Sequence, residues 1–441
     1  MGDYRVKSAV LLLLFASCSF GKTKVSTATG TENCDALILA GLKDVVFLPT
    51  DPAYDASLTY YWSATTRAVR PSCFVQPQKT EDVSKALRVL SQTSGSGDVA
   101  IRSGGHSTWV SNNVAGGVTF DLSLLNQVTY SGDTKIASIG TGAKWGAVML
   151  ELEKYNRTAT GGRDGDVGVG GLLLGGGLSF YTRYVAGTRV LRVDSGIDKS
   201  PSKRGIASND VVNFEVVLAL ANGAVINANA TADPALFKAL KGGSNNFGIV
   251  TRFDMLAMDA TPGGIYGGII FMAYDQKETA LAGFVRMIDI NGENTADTGI
   301  LLLTYKSPGP ATIAMAMVNL DGAENSTSFA PFQDVPVRTR DENLQHDSII
   351  WLADATMSTP EQEAYLQKAI GSLTKTLEEY TIEKGGYTQW RYLNYVDPSQ
   401  NPLKSYGEDN VRRMKEVAAQ YDPDRFFQER VSSGFKLSKV D

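Results

Sequence analysis

Apolar positions recur at helical spacing in two stretches of the chain. Val83, Ala86, Leu87 and Leu90 fall at i, i+3, i+4 and i+7, which puts them on one helix face. Thr80 is the expected N-cap, with Glu81 and Asp82 in the first turn. Trp145, Val148, Met149 and Leu152 mark a second amphipathic helix. Between them "VAIR", residues 99–102, reads as a short buried strand, and "GVTFDLSLLNQV" as a strand and turn. "VVNFEVVLALANGAVINA" predicts a hairpin around Asn222-Gly223. "DPALFKALKGGSNNFGIVTRFDM" predicts a short helix, a glycine turn and a strand. From about 256 to 385 strands and helices continue without glycine clusters, as in a second domain. The tail from 386 to 441 reads as a strand, a loop and a helix.

Composition narrows the classes. The chain has 441 residues, 43% apolar and 20% charged, an ordinary globular mix. A net charge of −5 and the lack of a basic run argue against a nucleic-acid partner. Residues 1–21 carry Arg5 and Lys7, then the apolar run "SAVLLLLFASCSFG", and read as a signal peptide. That run is short for a bilayer span, so no membrane anchor is expected. Secretion leaves Cys34 and Cys73 as an even pair for an oxidising compartment to join. The sequons at Asn156, Asn229 and Asn325 fit the same compartment. Two histidines and three cysteines, widely spaced, give no metal-ligand cluster.

Two stretches carry candidate chemistry. "GGRDGDVGVGGLLLGGGLS", residues 161–179, lets backbone approach a ligand and turn N–H groups toward an anion. It has neither the dinucleotide-fold spacing after a strand nor a Gly-Lys-Ser/Thr end. By composition alone it reads equally well as a glycine-rich turn. "AIRSGGHS" places His106, one of two histidines, directly after a strand and a Ser-Gly-Gly turn. Alone, His106 reads as a hydrogen-bonded strand-end residue.

Taken in order, "PSCFVQPQKTEDVSKAL", "IRSGGHS", "GVTFDLSLLNQV", "GDVGVGGLLLGGGLSF", "DPALFKALKGGSNNFGIVTRF", "YLNY" and "YDPDRFFQ" resemble one family. It is the vanillyl-alcohol oxidase and p-cresol methylhydroxylase flavoproteins, in their berberine-bridge-enzyme-like branch. The resemblance implies an α+β fold. An FAD-binding domain of two α/β subdomains spans 22–255, a substrate domain with an antiparallel sheet and flanking helices spans 256–385, and 386–441 returns to the FAD domain. It also implies that Arg102, Ser103, Gly104, Gly105 and Ser107 wrap the FAD pyrophosphate together with Gly168, Gly170, Gly171, Gly175 and Gly176. His106 would bond the flavin 8α-methyl carbon. Many relatives form a second link through a cysteine; Asp164 stands there, so a single link is expected. Tyr392 would face substrate as catalytic base if its pKa falls from about 10, with Tyr184 as partner phenol and Asn394 on the isoalloxazine. Gln389 is a candidate substrate contact, and Cys34–Cys73 matches the family's N-terminal disulfide. The implied activity is a monomeric, secreted oxidase acting on an alcohol, carbohydrate or secondary metabolite, with oxygen as acceptor. A non-catalytic binder and a dehydrogenase with another acceptor are the competing readings.

Two features depart from that family. Residues 187–205 are an insertion without periodicity, either a surface loop or an intron left in the gene sequence. The stretch "VRTRDENLQHD" replaces several strands and a helix of the substrate domain, and His346 falls within it.

Overall fold

The computed structural model describes residues 29–93, 98–107, 109–182, 205–291, 296–304, 309–332, 337–341, 360–383, 385 and 389–441. The expected signal peptide, Tyr184, residues 187–204 of the insertion and His346 lie outside the described residues.

The first sheet has four strands in the order Val46–Phe47, Cys73–Val75, Val118–Asp121, Val99–Arg102. The last three run parallel, and the first pairs antiparallel. Parallel neighbours need a crossover, which the helix Thr80–Gln92 supplies. Its Val83, Ala86, Leu87 and Leu90 are all fully buried, as their spacing requires. Its N-cap is Lys79, not Thr80. The Thr80 hydroxyl instead donates to the Glu215 carboxylate 2.8 Å away on the next sheet. A Cys34–Cys73 disulfide ties the N-terminal helix Glu32–Leu37 to the second strand.

The second sheet is antiparallel, ordered Val128–Ser131, Ile136–Gly140, Ile249–Leu256, Val211–Val217, Val225–Asn229. The Asn222-Gly223 hairpin forms, with Gly223 at φ +62°. One large core joins this sheet to the helices Trp145–Glu153, Pro234–Leu240 and Glu408–Tyr421. A second core lies under the parallel sheet and takes Phe426, Phe427 and Val431 from the tail. The third sheet, ordered Asp297–Thr304, Thr312–Asn319, Tyr266–Ala273, Val337–Asp341, is antiparallel throughout. The helix Lys277–Asn291 covers one of its faces. The C-terminal segment therefore sits in both cores of the first two sheets, and its Leu437 and Val440 join the larger one.

At the exit of the parallel sheet, Arg102 pairs with Asp121 across the strand register, both side chains fully buried. The guanidinium lies 4.8 Å from the Tyr61 ring centroid and also donates to the Ser57 carbonyl. Burial pushes the Asp121 carboxyl up, but the Arg102 charge and hydrogen bonds from Arg102, Ser57 and Ser123 outweigh it and hold the group low. Arg102 was expected beside the cofactor. Its charge is instead spent on Asp121, fixing where the next residues leave the sheet.

This pair gives a stability prediction. Removing one partner of a buried pair costs about 3–5 kcal/mol, because the other charge is left uncompensated. Asp121→Ala should lower the unfolding free energy obtained from denaturant titration by that amount at neutral pH. The folded carboxyl titrates below its ordinary value, so its contribution persists above about pH 4 and vanishes as pH falls through the lowered value. Wild type and variant should thus converge in acid, and an equal gap at every pH would contradict this account.

Candidate functional site

The loop Ser103–Ser107 leaves the parallel sheet and meets the segment Gly168–Gly171 backbone to backbone. A Cβ on Gly104 would lie 2.7 Å from the Gly168 nitrogen, and one on Gly168 would lie 2.6 Å from the Gly104 nitrogen. No side chain fits at either position. Gly105 takes φ +70°, and its Cβ would meet the Tyr60 carbonyl at 2.9 Å. Ser103 clamps the junction: its hydroxyl donates to the Thr141 carbonyl at 2.7 Å and accepts from the Gly170 N–H at 3.2 Å. A Cβ on Gly170 would crowd that same hydroxyl at 2.9 Å, whereas one on Gly171 would meet nothing within 4 Å.

The consequence is a row of donors. Among the described residues, the backbone N–H groups of Gly104, Gly105, His106 and Ser107 have no acceptor. Backbone donors are almost always paired, and consecutive free N–H groups form a concavity for an anion. A pyrophosphate fits that cradle. Ser107 turns its hydroxyl to the Trp109 carbonyl at 3.0 Å, so its contribution to an anion is its N–H.

His106 follows directly, its ring 5.5 Å from that of Trp62. Burial and the charge of Lys144 lower its pKa against the opposing effect of Asp166, so the imidazole is neutral. A neutral ring nitrogen is nucleophilic. Asp164 is nearly buried and accepts the Asp166 N–H at 2.8 Å; burial raises its pKa.

The tail closes the other end. The Asn394 amide donates to the Leu172 carbonyl at 3.1 Å and to the Tyr392 hydroxyl at 3.0 Å. The same hydroxyl accepts the Leu178 N–H at 2.8 Å. Gly175 makes room for Asn394, since a Cβ there would lie 2.8 Å from its amide nitrogen. Gly176, at φ +112°, passes the Tyr392 ring. Gly175 and Gly176, expected against the cofactor, thus seat the tail residues. Tyr392 stacks on Trp390 at 5.8 Å and meets Tyr395 edge-on at 4.9 Å.

The Tyr392 phenol differs from expectation. A base would need its pKa lowered. Burial raises it, and the two N–H donors and Arg163 do not reverse that. With both donors on its oxygen, the phenol keeps its proton, which has no acceptor among the described residues. Gln389 is exposed, and among the described residues only its carbonyl is engaged, by Arg391. Sequence reasoning missed Ser103's bond to Thr141, Trp62 beside His106, and Arg163, which donates to the Tyr395 hydroxyl. The aromatic run Tyr60-Tyr61-Trp62 was the available signal for the second. No cluster of His, Cys, Asp or Glu that could hold a metal occurs among the described residues. No helix among them is long and apolar enough to cross a membrane.

Comparison with known proteins agrees with this geometry. Residues 71–195 match an FAD binding domain, and residues 391–432 match the berberine and berberine-like family. A FAD-dependent monooxygenase of Aspergillus calidoustus is 30% identical, over 92% of this chain and 90% of that protein. Another from Emericella nidulans is 29% identical, over 94% and 100%. Xylooligosaccharide oxidase from Myceliophthora thermophila has the same fold: TM-score 0.64, 18% identity, 92% of this chain and 99% of that one. So does 6-hydroxy-D-nicotine oxidase from Arthrobacter nicotinovorans, at TM-score 0.64 and 19% identity, over 87% and 96%. A cradle of backbone donors on this fold defines an FAD-linked oxidoreductase. Within that class, the chain belongs to the berberine-bridge-enzyme-like family.

The backbone contact is testable without a substrate. Gly104→Ala and Gly168→Ala should each abolish flavin retention while the far-ultraviolet circular dichroism stays that of wild type. Gly132→Ala, where a Cβ meets nothing within 4 Å, should keep full flavin. Stoichiometric flavin in both cradle variants would show that the contact does not shape the site.

Proposed function

We propose that this protein is a secreted, monomeric oxidase whose FAD is held by one covalent bond through His106. The observation that carries this reading is the row of N–H groups from Gly104 to Ser107, without an acceptor among the described residues, with the neutral imidazole of His106 within it. Asp164 in place of a thiol leaves no second nucleophile of that kind, which favours a single bond. When bound, the flavin supplies a two-electron acceptor at an orientation the protein sets. The donor would lose a hydride from carbon and a proton from oxygen, and oxygen would take up both electrons to give hydrogen peroxide. The chain's own part is binding and alignment. Tyr392 keeps its proton and so does not take the donor's, which would pass to solvent water and be balanced by the protons that complete the peroxide; Leu178 and Asn394 hold the phenol so that it would orient the donor.

Acid precipitation tests the bond. Flavin should stay with the washed wild-type pellet and leave with the supernatant in His106→Ala. Wild-type flavin in the supernatant would refute covalent attachment, and no flavin in either fraction would refute the cofactor. The relatives' name of monooxygenase sets the product assay: one hydrogen peroxide per donor oxidised is expected, and an oxygenated donor without peroxide would overturn the oxidase reading.

Attachment also has an expected pH dependence. The lowered His106 pKa keeps the ring nitrogen unprotonated below the ordinary value of about 6.5. Covalent incorporation into flavin-free protein should therefore run above half its maximal rate at pH 6.5 and reach the half-maximum only in more acid buffer. A half-maximal rate at pH 6.5 would contradict the assignment.

Tyr392→Phe removes the proton and keeps the ring. It should lower kcat by about 100-fold through lost orientation of the donor, with flavin content unchanged. Rapid donor oxidation by this variant would exclude the phenol from the chemistry.

A further inference from the structure

Neither ring nitrogen of His106 has a hydrogen-bond partner among the described residues. A histidine that acts as a ligand or nucleophile is ordinarily aimed by a bond from its second nitrogen to a carboxylate or a carbonyl. What lies against this ring is Trp62, at 5.5 Å between centroids and 39° between planes. Ring pairs attract at separations of about 4.5–7 Å. Both residues are half-buried.

Trp62 is itself held in place. It sits in the link between the helices Pro52–Thr59 and Ala64–Ala68. Its N–H donates at 2.9 Å to the carbonyl of Gly105, the residue directly before His106. The Tyr60 carbonyl closes on the same Gly105, where a Cβ would meet it. The Tyr61 carbonyl accepts from the Arg67 guanidinium at 2.8 Å, and the Tyr61 hydroxyl donates to the Asn112 carbonyl at 3.1 Å. On the other side Ser63 caps the second helix, its hydroxyl accepting the Thr66 N–H at 3.4 Å. The indole therefore stands on backbone fixed before and after it, and a backbone bond ties that stretch to the loop carrying His106.

We propose that Trp62 is the positioning residue for His106, its ring holding the imidazole in one orientation for attachment to the cofactor. The inference rests on the covalent reading above. In that attachment one C–H bond of the flavin methyl group and the imidazole N–H break and one C–N bond forms. Oxygen carries off both hydrogens and two electrons as hydrogen peroxide. Trp62 makes and breaks no bond. Its part is to limit rotation of the imidazole about its side-chain torsions, which no hydrogen bond among the described residues restrains. Orientation of a reacting group is worth large factors in rate.

Flavin-free full-length chains carrying Trp62→Phe and Trp62→Leu test this, since the two new side chains are close in volume and only one has a ring face. Both keep the backbone N–H that binds Gly105. Three quantities are measured: total FAD bound, the rate at which flavin enters the acid-precipitated pellet, and the rate at which diethyl pyrocarbonate modifies His106, read by peptide mass. Total FAD should equal wild type in both variants. Attachment should slow about threefold in Trp62→Phe and at least about tenfold in Trp62→Leu. Modification of His106 should run no slower than in wild type, because a small reagent can approach from any open side. Attachment at the wild-type rate in Trp62→Leu overturns the proposal, as does the same result in Trp62→Phe should the leucine variant not fold. A parallel fall in the reagent's rate also overturns it, making Trp62 a determinant of reactivity and not of orientation. Loss of total FAD in both variants overturns it as well, making Trp62 part of the fold only. A wild-type chain that binds FAD and never attaches it refutes the covalent reading and this proposal with it, an outcome set apart because wild type itself fails.

Discussion

Two backbones touch where Gly104 meets Gly168, and the site depends on that contact. It brings the loop from the parallel sheet against the start of the helix Val169–Leu174, which belongs to the other core. A methyl group on either residue would separate the two subdomains locally by more than a hydrogen bond can span. Ser103 then finds Thr141 and Gly170 in reach, and the N–H groups of Gly104 to Ser107 are left without an acceptor among the described residues. Gly168 and Gly170 are thus steric requirements of two segments crossing, whereas Gly175 makes room for Asn394 and Gly161 and Gly162 for Trp145.

The buried pair Arg102–Asp121 supports the crossing from below. It lies one residue before the loop, and its geometry is set by the register of two parallel strands. An arginine at a strand end next to an expected phosphate looks like a ligand in sequence. Its partner sits 19 positions later on the adjacent strand, and Tyr60 and Tyr61 come from an earlier helix end. Only the assembled sheet shows that the charge is already paired.

That contrast recurs. The helix face of Val83, Ala86, Leu87 and Leu90 was legible because periodicity is local. The hairpin at Gly223 and the glycine cradle were legible because backbone sterics are local. Thr80 was misread as a cap because Glu215, which captures its hydroxyl, is 135 positions away. The state of the Tyr392 phenol depends first on burial, which the fold sets, and then on Asn394 two positions away and Leu178 214 positions distant, so its sequence neighbours show only part of it. Short-range rules of geometry survive in a sequence, whereas electrostatic surroundings are built by the fold.

The tail has a temporal meaning. Tyr392 and Asn394 lie in the last eighth of the chain and lock onto Leu172 and Leu178, near its middle. Phe427 and Leu437 complete cores begun by residues far upstream. During synthesis Gly104 and Gly168 emerge long before Tyr392 and Asn394, so the side those residues close stays open until late. A ribosome stalled short of Tyr392 would carry a chain that lacks both the residues over Leu172 and Leu178 and the tail side chains that complete the two cores.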